Sequence, residues 1–254
     1  RALAEEDPVA VLPLAAVEQH GPHLPLSTDQ VIGEGILEAA LEELSREERP
    51  IVVLPPQVTG ASLEHEGYPG TLSLGAGTLR RMVTDTGRSL GQAGIRRLVI
   101  SNSHGGNRAA VDLAALELRR ELSMLVVKAH YFRFPRPDSV ALPEAEWRHG
   151  LHGGAVETAM MLHLRPELVR SHQIRRFSSL GEELEDHLVR VAPEGQAAFA
   201  WSAEDLDDRG VAGDATLADA RMGQDLVRHY GSCLADVVRD AARFPMERLG
   251  GETA

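Results

Sequence analysis

The chain has 254 residues, 43% hydrophobic and 25% charged, the balance of a globular protein long enough to bury a full core. Its 38 acidic against 26 basic side chains give a formal charge of −12, which argues against a broad phosphate-binding surface and so against nucleic acid as a partner. A single cysteine, Cys233, rules out an internal disulfide and a four-cysteine metal cluster, and no apolar run reaches the roughly 20 residues that span a bilayer.

The first element is the short apolar run at residues 9–12, which reads as a strand covered on both faces. No secretory leader pattern precedes it, so a cytoplasmic enzyme is expected, with the native start left open because the chain begins on Arg1. Residues 30–44 carry apolar side chains at helical spacing, and residues 51–54 form the next strand, stopped by Pro55 and Pro56. A helix follows over residues 78–93, with Thr78 as N-cap and Gly94 as the C-terminal stop. Strands at 98–100 and 125–127 flank a helix at 109–122, and further helices are predicted at 157–164 and 223–244. Residues 171–213 are weaker in period and richer in charge, and read as insertions and a capping segment. This alternation predicts one α/β domain with a mainly parallel sheet and helices on both faces. In such sheets the site lies on the loops beyond the carboxyl ends of the strands.

Those loops concentrate histidine and carboxylate. Directly after the first strand comes Glu18-Gln19-His20-Gly21-Pro22-His23-Leu24-Pro25-Leu26-Ser27-Thr28-Asp29. In extended backbone, residues two apart face the same side, so Glu18 and His20 converge. Taken alone, Asp29 reads as a helix cap and Glu18 with His20 as a surface pair. Three such groups on one proline-stiffened loop point instead to a divalent transition metal. A second loop, Ser101-Asn102-Ser103-His104-Gly105-Gly106-Asn107, offers one imidazole, His104, on glycine-rich backbone. By itself His104 reads equally well as a turn histidine bonded to backbone, and the loop lacks the lysine and spacing of a P-loop. A third segment runs from Trp147 through Arg148, His152 and Gly153-Gly154 to Glu157, which opens a helix where the dipole alone would favour a carboxylate. A fourth, at residues 60–71, places His65 to support the site or touch substrate. Elsewhere His163 reads as packed inside a helix, His172, His187 and His229 as solvated, and His130 stays open. Cys233 lacks a local Cys-His context, and no Gly-x-Ser-x-Gly elbow is present.

The first of these loops resembles the signature of the creatininase (creatinine amidohydrolase) family. Ser103-His104-Gly105-Gly106-Asn107, His152-Gly153-Gly154-Ala155-Val156-Glu157-Thr158, Glu64-His65-Glu66-Gly67-Tyr68-Pro69-Gly70-Thr71 and Gly210-Val211-Ala212-Gly213-Asp214 are similar to its later blocks, in family order. The resemblance implies a three-layer α/β/α fold and two divalent metal ions per chain, zinc first, manganese or iron otherwise. It also implies hydrolysis of a small or non-peptide amide C–N bond, and a homo-oligomer, often a hexamer. Carried over, Glu18, His20, Asp29 and His104 match metal ligands, Asp29 bridging. Glu157 completes the shell, and His152 matches the residue that handles protons. Members acting on creatinine carry an aromatic and then an acidic residue at the positions of Gly105 and Gly106, and a tryptophan at that of Arg148, which argues against creatinine here.

The expected activity is therefore cleavage of a small amide, cyclic ones included, or a formamide by a metal-bound hydroxide. Two metals about 3.5 Å apart would share Asp29 and a water whose pKa falls to near 7. His152 would protonate the departing nitrogen, and Asn107 with the Gly105 and Gly106 amides would hold the oxyanion or orient the substrate. His65 and Arg148 would meet substrate, Arg148 through an anionic group. The alternatives are a peptidase of the mycofactocin-precursor type and a non-catalytic binding protein that keeps its metal for structure.

Overall fold

The computed structural model describes residues 5–44 and 50–249. Four parallel strands form the central sheet: β1 (Val9–Leu14), β2 (Ile51–Val53), β3 (Arg97–Asn102) and β4 (Leu125–His130), in the order β2-β1-β3-β4. Side chains alternate across the strands, so both faces must be covered. Val9, Val11 and Val99 pack with Ile32, Ile36, Met160, Leu226 and Val238 on one side. Ala10, Leu12, Leu98 and Ile100 pack with Leu79, Val83, Val111 and Leu118 on the other. Full burial of each such Leu, Ile or Val contributes about 1.5–3 kcal/mol, which is what fixes the layering.

The first side is covered by α1 (Thr28–Glu43), α5 (Ala155–Leu164) and α8 (Ala220–Arg243), and the second by α2 (Ala76–Gln92) and α3 (Arg108–Leu122). Between β4 and α5 lies the short α4 (Glu144–His149). The chain is thus a three-layer α/β/α structure, as expected. Buried Arg97 pins the far end of α8, donating to the carbonyls of Ala241 and Phe244 at 2.6 and 3.0 Å while pairing with Asp7 at 3.0 Å.

Element bounds shift by a few residues. Helix α2 begins at Ala76 behind Gly75, not at Thr78, and Gly94 takes the left-handed φ of +86° that lets the chain turn after it. Residues 171–213 fold into small pieces, namely β5 (Arg176–Phe177), α6 (Leu180–Glu185), β6 (Val191–Ala192), β7 (Ala197–Ala198) and α7 (Ala203–Leu206). Strand β8 (Gly213–Asp214) pairs antiparallel with β5. The chain leaves β1 toward β2 on one side and β3 toward β4 on the other, so the switch point lies between β1 and β3. The register sets Leu14, Asn102 and His130 side by side at the carboxyl edge. Among the described residues no helix is long and apolar enough to cross a membrane.

Candidate metal centre

At that switch point the chain beyond β1 runs extended, and Glu18 and His20 turn into the same buried space, each about 1% exposed. Asp29 arrives from the first turn of α1. Ser27 holds the N-cap position, so Asp29 is free of capping duty and points inward. His104 enters from the end of β3. Glu18 Oε1 lies 3.2 Å from His104 Nδ1, 3.4 Å from His65 Nε2, 3.8 Å from His152 Nδ1 and 4.0 Å from His20 Nε2. Asp29 divides its carboxylate: Oδ1 is 3.4 Å from His20 Nε2 and Oδ2 is 3.3 Å from His104 Nδ1. Glu157 Oε2 stands 3.9 Å from His20 Nε2. Three sets have donor atoms within 4.8 Å of one another: Glu18, His20 and Asp29; His20, His152 and Glu157; and Glu18, His65 and His152.

Hydrogen bonds on the outer side of the rings decide which nitrogen faces in. His104 Nε2 is 2.9 Å from the Ala61 carbonyl, so it carries the hydrogen and leaves the Nδ1 lone pair facing Glu18 and Asp29. His20 Nδ1 is 3.2 Å from the Glu18 carbonyl, which leaves Nε2 as the inward lone pair. Lone pairs set against carboxylate oxygens repel unless a proton or a cation lies between them. Glu18 Oε2, His20 Nε2 and Asp29 Oδ2 are buried with no hydrogen-bond partner. An orphan of this kind costs about 1–3 kcal/mol, more when charged. A divalent cation among these nitrogen and oxygen donors would satisfy all three, and the residues fit that group.

Without a cation, protons take its place. Burial works against charging His20, but Asp29, Glu157 and Glu18 outweigh it and push the imidazole up to about 9. His104, equally buried, is held well above its ordinary value by Glu18 and Asp29. Burial opposes ionisation of Glu18, yet His104, His65 and His152 hold its carboxyl well below the usual range. Burial raises Glu157. It lowers His65 to about 4 and, with the neighbouring His20 and His65, drives His152 well down.

His152 is therefore neutral. Its backbone is bridged to Ala212, its Nε2 meets the Gln19 carbonyl at 2.7 Å, and its ring stacks between His20 and His65 at 4.1 and 4.2 Å. The following Gly153 adopts φ +65°, and its N–H donates to Glu157 Oε2 at 2.6 Å. The Tyr131 hydroxyl reaches Glu157 Oε1 at 3.5 Å. Trp201 stands edge-on to His65 at 6.4 Å.

The structure thus brings together Glu18, His20, Asp29, His104, His152, Glu157 and His65. It gives two other residues different work. Asn107 is a scaffold residue, not an oxyanion holder. Its Oδ1 accepts from the Ala61 N–H and its Nδ2 donates to the Ala15 carbonyl and to Asn102 Oδ1, so its amide hydrogens are spent. Arg148 pairs at the surface with Glu185, and Trp147 lies under the Arg136 guanidinium. Gly105 borders open space, whereas a side chain at Gly106 would stand 2.4 Å from Glu64 Oε1 and 2.5 Å from His104 Nε2. His130 bonds to Asn102 at 2.9 Å, and Cys233 does have a histidine neighbour, His229 at 3.7 Å, beside a thiol that burial raises.

Residues not singled out from the sequence also shape the site. Glu146 is buried and accepts from the Ala155 and Asp214 N–H groups, both at 2.7 Å, tying the His152–Glu157 segment to β8. His23 is buried against Phe177 and bonds Thr158 and the Gly153 carbonyl, both at 3.0 Å. Gln19 and His23 stood inside the first motif, where only their spacing beside the acidic and imidazole groups hinted at a role.

The sequence profile of the creatininase family, described as creatinine amidohydrolase, matches residues 1–238. The chain belongs to the creatininase family. It is a hydrolase of C–N bonds. The chain is 32% identical over 244 residues to a mycofactocin precursor peptide peptidase of Mycolicibacterium smegmatis, covering 96% of this chain and 88% of that protein. It is 32% identical over 182 residues to a creatinine amidohydrolase of Pseudomonas putida, covering 66% and 68% of the two chains. A solved creatininase in its Mn form superposes with a TM-score of 0.76 at 25% identity, covering 96% of this chain and 93% of that one.

Proposed function

We propose that this creatininase-family hydrolase is a binuclear metalloenzyme that cleaves an amide C–N bond in a short peptide. The observation that carries the chemistry is the set of buried, partnerless donor atoms on Glu18, His20 and Asp29, facing neutral His152. Asp29 would bridge two ions, since each of its oxygens faces a different imidazole. His20 and Glu157 would complete one position, Glu18 and His104 the other. Mixed nitrogen and oxygen donors suit zinc first, with manganese or iron as alternatives. When bound, such a pair ionises water near neutral pH and polarises the scissile carbonyl.

The chain's own groups supply the rest. His152 keeps its Nδ1 lone pair free toward Glu18, so it can take a proton from the attacking water there and return it to the departing nitrogen. The cluster is buried, which strengthens each electrostatic contact. Two observations favour a peptide. A Cβ on Gly105 would meet nothing within 4 Å, leaving open room beside His104, and the similarity to a peptide peptidase runs along 96% of the chain. The second reading, a small cyclic amide or formamide, is favoured by the identity to a creatinine amidohydrolase over a shorter span.

The test is turnover by the zinc- or manganese-loaded protein of short peptides, formamides and cyclic amides, creatinine among them. Peptide cleavage alone supports the leading reading, and cleavage of the small amides alone replaces it with the second. No turnover by a fully loaded protein leaves a binding protein. Glu18→Gln and His104→Ala are expected to lose metal and activity together, and full metal retention in both would overturn the centre.

A further inference from the structure

We propose that Gln19 is a positioning residue that sets the tautomers of both His65 and His152, and so makes His65 a hydrogen-bond donor to Glu18 and not a metal ligand. By distance alone, His65 belongs to a ligand set with Glu18 and His152. Hydrogen accounting removes it. The Gln19 side-chain amide is oriented by two groups that have nothing to do with His65. Its Oε1 accepts the Gly21 N–H at 2.9 Å, and its Nε2 donates to the Gly210 carbonyl at 2.7 Å. The flipped amide would set two oxygens against each other at the Gly210 contact and two donors against each other at Gly21. The second Nε2 hydrogen then goes to His65 Nδ1, 2.9 Å away. Neutral His65 must carry its own hydrogen on Nε2, and that nitrogen faces Glu18 Oε1 at 3.4 Å.

The same residue acts on the stacked partner through its backbone. The Gln19 carbonyl takes the His152 Nε2 hydrogen at 2.7 Å, which leaves the Nδ1 lone pair toward Glu18. One residue therefore gives two neighbouring imidazoles opposite duties, His65 donating and His152 accepting. The backbone at Gly210 is shaped for this contact: φ is +68°, and a Cβ there would sit 2.5 Å from Gln19 Nε2.

The tautomer statement stands on hydrogen bonds alone, while the exclusion of His65 as a ligand rests on the metal centre proposed above. The first test is nitrogen NMR of 15N-histidine-labelled, metal-free full-length protein. His65 is expected as the Nε2–H tautomer. Gln19→Glu keeps the acceptor for Gly21 but removes the donor, and is expected to put a hydrogen on His65 Nδ1 as well, charging the ring between two carboxylates. An Nδ1–H tautomer in the unaltered protein, or an unchanged His65 in Gln19→Glu, overturns the proposal. The second test is metal stoichiometry and affinity. His65→Ala is expected to keep the full complement and weaken zinc binding about ten- to hundredfold. His65→Gln, whose amide can still donate to Glu18, is expected to recover that affinity. Loss of one equivalent of zinc in both variants would make His65 a ligand and sink the proposal. If the unaltered protein binds no metal, the metal centre falls while the NMR result is still decided separately.

Discussion

Proton competition gives the sharpest prediction for the metal centre. In the metal-free protein the His20 imidazole is buried, yet Asp29, Glu157 and Glu18 hold it up to about 9, so at pH 7 its Nε2 carries a proton. A cation that takes that nitrogen must expel the proton first. Two pH units at 1.36 kcal/mol each cost roughly 3 kcal/mol, or about a hundredfold in affinity at pH 7. The apparent association constant should therefore climb about tenfold per pH unit from 7 to 9, and more steeply if His104, also raised, gives up its proton in the same range. The metal-free fold has the opposite sign. The charged His20 stabilises it fully below the ordinary value of 6.5, and that contribution is lost as the pH rises through about 9. The thermal stabilisation conferred by metal should accordingly grow with pH across this window. Zinc or manganese titration against a competing chelator, corrected for the chelator's own protonation, measures the slope. Calorimetry in two buffers of different ionisation heat counts the protons released. An affinity flat to within about twofold between pH 7 and 9, with no proton released, would refute the placement of a cation on His20 Nε2.

Three further outcomes follow from particular contacts. His152→Ala should retain its metal and lower kcat by about 10²- to 10⁴-fold, because only its free Nδ1 is lost from the chemistry; undiminished turnover would remove it from the reaction. Glu146→Ala orphans the Ala155 and Asp214 N–H groups and should cost about 3–5 kcal/mol, a fall in Tm of about 10 °C by thermal denaturation. An unchanged Tm would show that the carboxylate does not hold this segment to β8. Arg148→Ala removes an ion pair whose side chains are 55% and 43% exposed, so stability should change by less than about 1 kcal/mol and kcat/KM by less than about twofold. A tenfold loss of kcat/KM in steady-state assays would return Arg148 to the substrate.

Much of the architecture was legible because its signals are local. The apolar run of β1 announces a strand buried on both faces, those at β3 and β4 announce two more strands, and the alternation with helices announces a parallel sheet with its site at the carboxyl edge. Glu18 and His20 could be paired from spacing, since extended backbone sets residues two apart on one side. Asp29 was ambiguous for a local reason as well: aspartate at a helix start is equally at home as a cap, and only the seating of Ser27 at that position freed it. The partners of Asn107 and Arg148 could not be read from the sequence, because polarity near a glycine-rich turn says nothing about which groups reach it. The answers lay across the fold, in Ala15, Ala61 and Asn102 for one and in Glu185 for the other.

The order of amino acids by itself determined which groups of the right chemistry would stand at strand ends, because strand and helix periodicity act over a few residues. Which nitrogen of His65, His104 and His152 faces inward, and that Glu146 and Gln19 lock the surroundings, was decided only when segments far apart in the chain met, as Gln19 meets the carbonyl of Gly210. A hydrogen bond is specified by angle and distance to fractions of an ångström, and that information exists only in the packed chain.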